Sequence, residues 1–572
     1  MRAFYVVSAT LLAFALMSSA GAQRPTPIPT LAVPTLVPRQ ADVDPPASQA
    51  AASSVADIIE SGAFRVGVLY NKPPYSEFTL QGDLRGFDID LIRLIVELWG
   101  SDVEFIQVTR DNALDRLNRG HVHAIATAFV RYRELDTHLG FSQTYLVGGQ
   151  AMMVRADSPY QALSELGGHG IGYVIGTRTE KALSLWSARL GSSLNLQFFL
   201  TLDRAFAALT DGRIEGLVAE EQALLRAAAD YADRVRILDE AVLREPRAIA
   251  VRPRDIALRH LLSHSIHSLA KDGSLLHLYR EYFPENENAE EAVKLWDGIG
   301  ETVSPAQYAG ALASPTRDAL SQMRQSGLLR AGLAGDGAQA ASAGKAQLAS
   351  LGEALLHEFG RRWGVAVEIV TGSPEEASSM LTQGEVDIVA GMKPDWRLAA
   401  SMDFSAPYLL HGDRLMAPAH SRIQGFNDLR GRIIGVILGD EGARDRAQAW
   451  ADSINASVRF FQTREDNAAL HLLEFNNANA IYADSLLLVS HLQASPNALR
   501  LTDRWYSQSY YAFGLPYNDR DFRLLVDYTI QELVRDGTLH RLSGALILSD
   551  ELPDFEITPG AANFASISLS GF

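Results

Sequence analysis

Two acidic residues close short apolar runs in corresponding parts of the chain: Glu220 ends Glu215-Gly216-Leu217-Val218-Ala219-Glu220, and Asp484 ends Ala480-Ile481-Tyr482-Ala483-Asp484. A carboxylate that follows a buried strand commonly caps the next helix by accepting its free N–H groups. Other residues of chemical promise form weaker patterns. His121-Val122-His123 pairs two histidines at i, i+2 with no cysteine and no suitably spaced acid, which is poor metal-ligand geometry, so no metal site is expected. Gly168-His169-Gly170-Ile171-Gly172 lacks the spacing of a dinucleotide loop, precedes a strand instead of following one, and reads as a turn. Tyr75, after Pro73-Pro74, either packs a turn or presents its ring, while Arg131 and Arg133 read as solvated charges. The chain contains no cysteine, which excludes thiol catalysis, disulfides, iron–sulfur clusters and thiolate zinc sites. No Gly-x-Ser-x-Gly elbow, P-loop or nucleophile–base constellation is present, so the chain is expected to be no enzyme and to need no cofactor.

The elements that must position these residues follow from length and pattern. A chain of 572 residues exceeds what one core holds, so two or more domains are expected. Its hydrophobic content of 47% and charged content of 21% are ordinary globular values. A net charge of −17, with no Lys/Arg-rich block, lacks the electrostatic footprint that nucleic acid requires. Residues 1–22 carry Arg2, an apolar run from Ala3 to Met17 and small residues to Ala22, the layout of a cleavable secretory signal or of an uncleaved anchor. Residues 23–54 are rich in Pro, Thr and Ala and read as an extended stalk.

Beyond the stalk the chain repeats itself. Ser61–Val68 faces Ser326–Leu333 at an offset of 265, and Phe141–Leu146 faces Phe404–Leu409 at 263. Ile171–Gly176 faces Ile434–Gly439 at 263, and Lys271–Leu275 faces Arg535–Leu539 at 264. Four matches in one order at nearly constant spacing indicate a duplicated domain. Within each half, short β-branched runs alternate with helical stretches, which predicts α/β units with parallel sheets. The expected domains are 55–285 and 317–548, joined by a linker at 286–316 and followed by a tail at 549–572.

The residues that carry these patterns resemble a known family, the extracytoplasmic solute-binding proteins of polar amino-acid ABC transporters, often called family 3. The resemblance rests on Arg65-Val66-Gly67-Val68, Pro73-Pro74-Tyr75 and Leu84-Arg85-Gly86-Phe87-Asp88-Ile89-Asp90-Leu91. It continues through Leu117–Ala124, Phe141-Ser142-Gln143-Thr144-Tyr145 and Gly172–Thr177, and covers the second half more weakly. It implies two tandem periplasmic-binding-protein-like domains of type II. Each would have two α/β lobes joined by two crossing strands and closing around a ligand. An α-amino acid in such a cleft needs a partner for each charge. By resemblance, Tyr75 is the aromatic wall with Tyr70 and Asn71 beside it, Thr177 contacts the carboxylate, and Glu220 receives the ammonium. Thr127 and Arg133 stand near the stretch where the family binds the carboxylate. In the second half, Arg397 is the equivalent of the carboxylate arginine and Asp484 of the ammonium acid.

Departures accompany these matches. Leu135 occupies the family's arginine position in the first half, and Ala128 and Val130 replace polar positions there. In the second half the aromatic loop has become Gly335–Ala341, and Gly439-Asp440 stands where Gly-Thr is usual. The resemblance implies a small polar, amino-acid-like solute and delivery to a membrane permease of an ABC transporter. A sensory module signalling to a membrane partner, or a half that only braces the other, remain as alternatives.

Overall fold

Phe64, Val66, Gly67 and Val68 are buried along Ala63–Val68, and the continuous run Val66–Val68 is what a strand covered on both faces requires. This strand is second in the first sheet, one of five sheets among the described residues. The computed structural model describes residues 53–546 except 80, 137, 192, 230, 232, 285–292, 301, 311–316, 336–342, 438–442, 456, 464–470, 476, 496 and 503. The expected signal, nearly all of the stalk, the tail, most of Gly335–Ala341 and Gly439-Asp440 lie outside the described residues.

The first sheet runs Asp102–Gln107, Ala63–Val68, Ala124–Ile125, Ala250–Val251, Gly140–Phe141; its first three strands are parallel and Ala250–Val251 is antiparallel to its neighbours. The chain crosses to a second sheet along Leu146–Arg155 and returns along Leu243–Arg247, two antiparallel strands paired from Leu146↔Arg247 to Gln150↔Leu243. The second sheet runs Asn195–Phe199, Gly170–Val174, Gly216–Glu220, Leu146–Arg155, Val235–Ile237. The other half repeats both orders. Ala366–Gly372, Leu328–Ala334, Ile388–Met392, Ser509–Pro516 and Met402–Phe404 form one sheet; Arg459–Thr463, Ile433–Ile437, Ala480–Asp484, Asp413–Pro418 and Leu499–Leu501 form the other. The α/β reading, the duplication and the crossing strands are thus present in the fold.

Helix Phe87–Trp99 shows how the Gly-Phe-Asp signature works. Phe87, Leu91, Ile92, Ile95 and Trp99 bury one stripe at helical spacing. Gly86 precedes it at φ 133°, and a Cβ there would lie 2.4 Å from the Tyr75 carbonyl oxygen, so only glycine fits. The Phe87 and Asp88 N–H groups donate to the carbonyls of Pro74 and Tyr75, both at 3.0 Å, which clamps the Pro-Pro-Tyr loop to the helix start.

The two halves pack through equivalent surfaces. Helix Ile256–Lys271 of the first half meets the first lobe of the second, where Trp396 Nε1–H donates to His267 Nδ1 at 2.9 Å and Arg259 pairs with Asp403 at 3.1 Å. Helix Arg520–Arg535 does the reverse: Gln531 Oε1 accepts from Arg133 at 2.6 and 3.1 Å, Glu532 pairs with Arg133 at 2.8 Å, and Tyr528 donates to Asp136. His267 and Gln531 are 264 residues apart and Arg133 and Trp396 are 263 apart, the spacing of the duplication. The interface is therefore a pseudo-twofold one, as in an isologous dimer. Part of the segment between the halves takes part in it, since Trp296 packs on His267, Trp396 and Phe404.

Candidate functional site

The carboxylate of Glu220 stands at the end of strand Gly216–Glu220, on the second lobe of the first half. Although it precedes helix Glu221–Ala228, its side chain makes no capping bond. Instead Glu220 Oε1 accepts from the Tyr75 hydroxyl of the first lobe at 3.0 Å and from Arg247 on the returning crossing strand at 2.6 Å. The Arg247 guanidinium also lies over the Tyr75 ring, 4.5 Å from its centroid, and its side chain is fully buried. One acid thus ties together both lobes and the hinge.

Further charges surround it. Arg178, immediately before helix Thr179–Leu190, lies 3.7 Å from Glu220 and 3.4 Å from the buried Glu245. Glu245 accepts from the Tyr132 hydroxyl at 2.9 Å and from Gln150 at 3.2 Å. Lys72 Nζ donates to the Thr127 carbonyl at 2.9 Å. Burial, reinforced by Arg247 and Arg178, pushes the Lys72 ammonium down to about 7. Burial alone would raise Glu220, but Arg247, Arg178 and Lys72 hold it at about 2. Asp88, wholly buried, accepts from Tyr145 Oη at 2.8 Å and from the N–H of Ala128, and burial raises its carboxyl. Ala128 sits at φ 49°, a conformation that alanine rarely adopts and that this contact helps to hold. The cleft therefore holds Lys72, Arg178 and Arg247 against Asp88, Glu220 and Glu245. Each charge has a protein partner that an incoming charge of the same sign can replace.

The second half arranges its acid differently. Asp484 caps helix Ser485–Ala494 by accepting from Leu486 N–H at 2.9 Å, and it pairs with His411 Nδ1 at 2.6 Å. Tyr511, the positional equivalent of Arg247, stacks on His411 with centroids 4.6 Å apart, and Lys393 Nζ lies 5.4 Å from the Tyr511 ring. Among the described residues, no group of three or more His, Asp or Glu could hold a metal ion.

Residues 64–285 and 351–545 match the model of the bacterial extracellular solute-binding proteins, family 3. The chain belongs to this family. The two matched stretches make it a tandem member. Among its relatives, the glutamine-binding protein of an ABC transporter from Bacillus subtilis is 24% identical over 209 residues, 36% of this chain and 75% of that protein. A general L-amino-acid-binding periplasmic protein from Rhizobium johnstonii is 28% identical over 217 residues, 36% of this chain and 63% of that protein. A solved structure of the L-cystine solute receptor of Neisseria gonorrhoeae, in its unliganded open conformation, is 19% identical with a TM-score of 0.36, covering 41% of this chain and 98% of that one.

Of the family-derived positions, the structure brings Tyr75, Glu220 and the Thr127 backbone together. Tyr70 stands on the first-lobe wall, donating to the Phe105 carbonyl at 3.3 Å, and Asn71 is an exposed strand residue. Thr177 is exposed, and its hydroxyl donates to the Val174 carbonyl at 2.7 Å. Arg133, expected near the ligand, is buried against Gln531 and Glu532 at the interface between halves; a solvated charge it is not. Arg397 turns outward with its side chain 76% exposed and pairs with Asp395. Sequence reasoning missed Lys72, Arg178, Glu245 and Arg247. The available signal was the charged run Arg244-Glu245-Pro246-Arg247 inside an otherwise apolar return to the first lobe, where a buried charge demands partners.

Proposed function

We propose that this protein captures a small polar, amino-acid-like solute outside the cytoplasm, between the lobes of its first half, and hands it to the membrane permease of an ABC-type importer. The observation that carries this reading is Glu220, held by Tyr75 from one lobe and by Arg247 from the hinge. A zwitterion fits such a site by exchange: its ammonium takes Glu220, and its carboxylate takes the guanidinium thereby released or Arg178. Each charge then keeps a partner, as a partly dry cleft requires. Relatives that are a glutamine-binding protein and a general L-amino-acid-binding protein support an amino-acid ligand class. Asp484, already committed to a helix cap and to His411, supports a bracing role for the second half. The mature protein is then a binding protein without turnover.

Thermal unfolding against a panel of amino acids tests this. A ligand at 100 times its Kd stabilises the occupied fold by about 2.7 kcal/mol. Glu220→Gln is expected to abolish the shift and Asp484→Asn to leave it. A shift that survives Glu220→Gln would overturn the assignment.

A further inference from the structure

The pseudo-twofold interface encloses a cavity of about 110 Å³. Its walls carry the Phe-Ser pairs of both halves, Phe141-Ser142 and Phe404-Ser405, so the cavity lies between the halves and apart from the cleft around Glu220. Four cationic side chains line it, Arg131, Arg259, Lys294 and Arg523, against two carboxylates, Asp403 and Asp527. Arg131 is matched by Asp136 at 3.2 Å, which leaves Arg259 and Arg523 as the cavity's equivalent pair. Buried cations require anionic partners, and a cavity between them is where such a partner can enter.

Two of the arginines are equivalents: Arg259 and Arg523 are 264 residues apart, the period of the duplication. Arg259 pairs with Asp403 at 3.1 Å and Arg523 with Asp527 at 3.2 Å. Each nevertheless keeps a buried Nε–H that has no hydrogen-bond partner among the described residues. An orphaned buried donor is costly, so the same orphan on both equivalent arginines points to a recipient outside the chain. Burial also pushes the Arg259 guanidinium down to about 10, as expected where Asp403 only partly offsets desolvation.

We propose that this interdomain cavity binds a small two-ended anion, a short α,ω-dicarboxylate, with one carboxylate on Arg259 and the other on Arg523. Symmetry sets the class: two equivalent guanidiniums across a pseudo-twofold axis suit a ligand with two equivalent ends, and guanidinium suits carboxylate. Size agrees. At ~10–15 Å³ per water-sized group, 110 Å³ admits on the order of eight such groups, about the heavy-atom count of a four-carbon dicarboxylate. Bound there, the anion bridges the halves and fixes their relative position, independently of the solute in the cleft.

The test is calorimetric titration of the intact mature protein with succinate, inorganic phosphate and acetate at one ionic strength. Succinate is expected to bind, acetate and phosphate at least tenfold more weakly. Arg259→Gln and Arg523→Gln are each expected to weaken succinate at least tenfold, while Glu220→Gln leaves it unchanged and removes amino-acid binding. Should either arginine variant fail to fold, Lys294→Gln, on the cavity rim, is expected to weaken succinate severalfold. Absence of succinate binding, phosphate binding as tight as succinate, or succinate binding lost with Glu220→Gln and kept in Arg259→Gln, Arg523→Gln and Lys294→Gln would each overturn the proposal.

Discussion

Acidification should loosen the contact between the halves through two histidines. On helix Ile256–Lys271, His260, His264 and His267 fall along one face and meet Trp396, with the His264 ring stacked 4.4 Å from it. His267 Nδ1 accepts the Trp396 indole N–H, so its proton resides on Nε2; a second proton would place one N–H against another. Burial, with His264 adding, pushes His267 down to about 3, and burial, with His260 adding, pushes His264 down to about 4. The other groups facing the ladder are Arg259, Asp403, Tyr517 and the Tyr308 hydroxyl, which bonds His264 Nδ1 at 2.8 Å. Asp403 faces His260, 2.9 Å from its Nε2, and gives that ring a carboxylate partner that His264 and His267 lack among the described residues.

The folded values lie below the unfolded value near 6.5. The unfolded chain therefore binds more protons between them, and stability present above 6.5 is lost as pH falls. At pH 5 each histidine costs about 1.36 kcal/mol for each of ~1.5 units below 6.5, roughly 2 kcal/mol. Allowing for screening at the less enclosed His264, the pair costs about 3 kcal/mol, a large part of a typical folding free energy. Asp519, pushed up to about 7 by burial, acts in the opposite sense over this range, so the comparison must be internal. Urea unfolding of wild type and of His264→Gln/His267→Gln, followed by tryptophan fluorescence at pH 7.5 and 5.0, supplies it. Wild type should lose about 3 kcal/mol more than the double variant between the two pH values. A difference below about 1 kcal/mol would refute the reasoning.

Other expectations follow from single contacts. Tyr75→Phe removes the hydroxyl that joins the lobes through Glu220, and hydrogen bonds to charged groups contribute about 1.5–3 kcal/mol, so solute affinity by calorimetry should fall about tenfold or more. Gly86→Ala drives a Cβ to 2.4 Å from the Tyr75 carbonyl oxygen at a positive φ, and should cost more than about 2 kcal/mol in urea unfolding while weakening solute binding through the displaced loop. Trp186→Ala empties a fully covered site in the second lobe of the first half and should cost about 3–5 kcal/mol, with no direct effect on Glu220.

Duplication and α/β class were legible in the sequence because they depend on local pattern: period and apolar spacing. Glu220 was legible as a strand-ending acid, and Asp484 equally so, yet only the folded chain separates them. Glu220 leaves its helix uncapped and faces Tyr75 and Arg247, whereas Asp484 caps its helix and pairs with His411. Arg133 and Arg397 show the same limit. Their charge is plain in the sequence, but whether a guanidinium enters a cleft, an interface or solvent depends on partners hundreds of residues away, such as Gln531 for Arg133. The sequence by itself determined which segments become strands and helices and that the domain occurs twice, since those outcomes follow from neighbours a few residues apart. Tertiary structure alone decided which charges meet, because a buried charge is stable only beside partners that the fold, and not the order of residues, brings within reach.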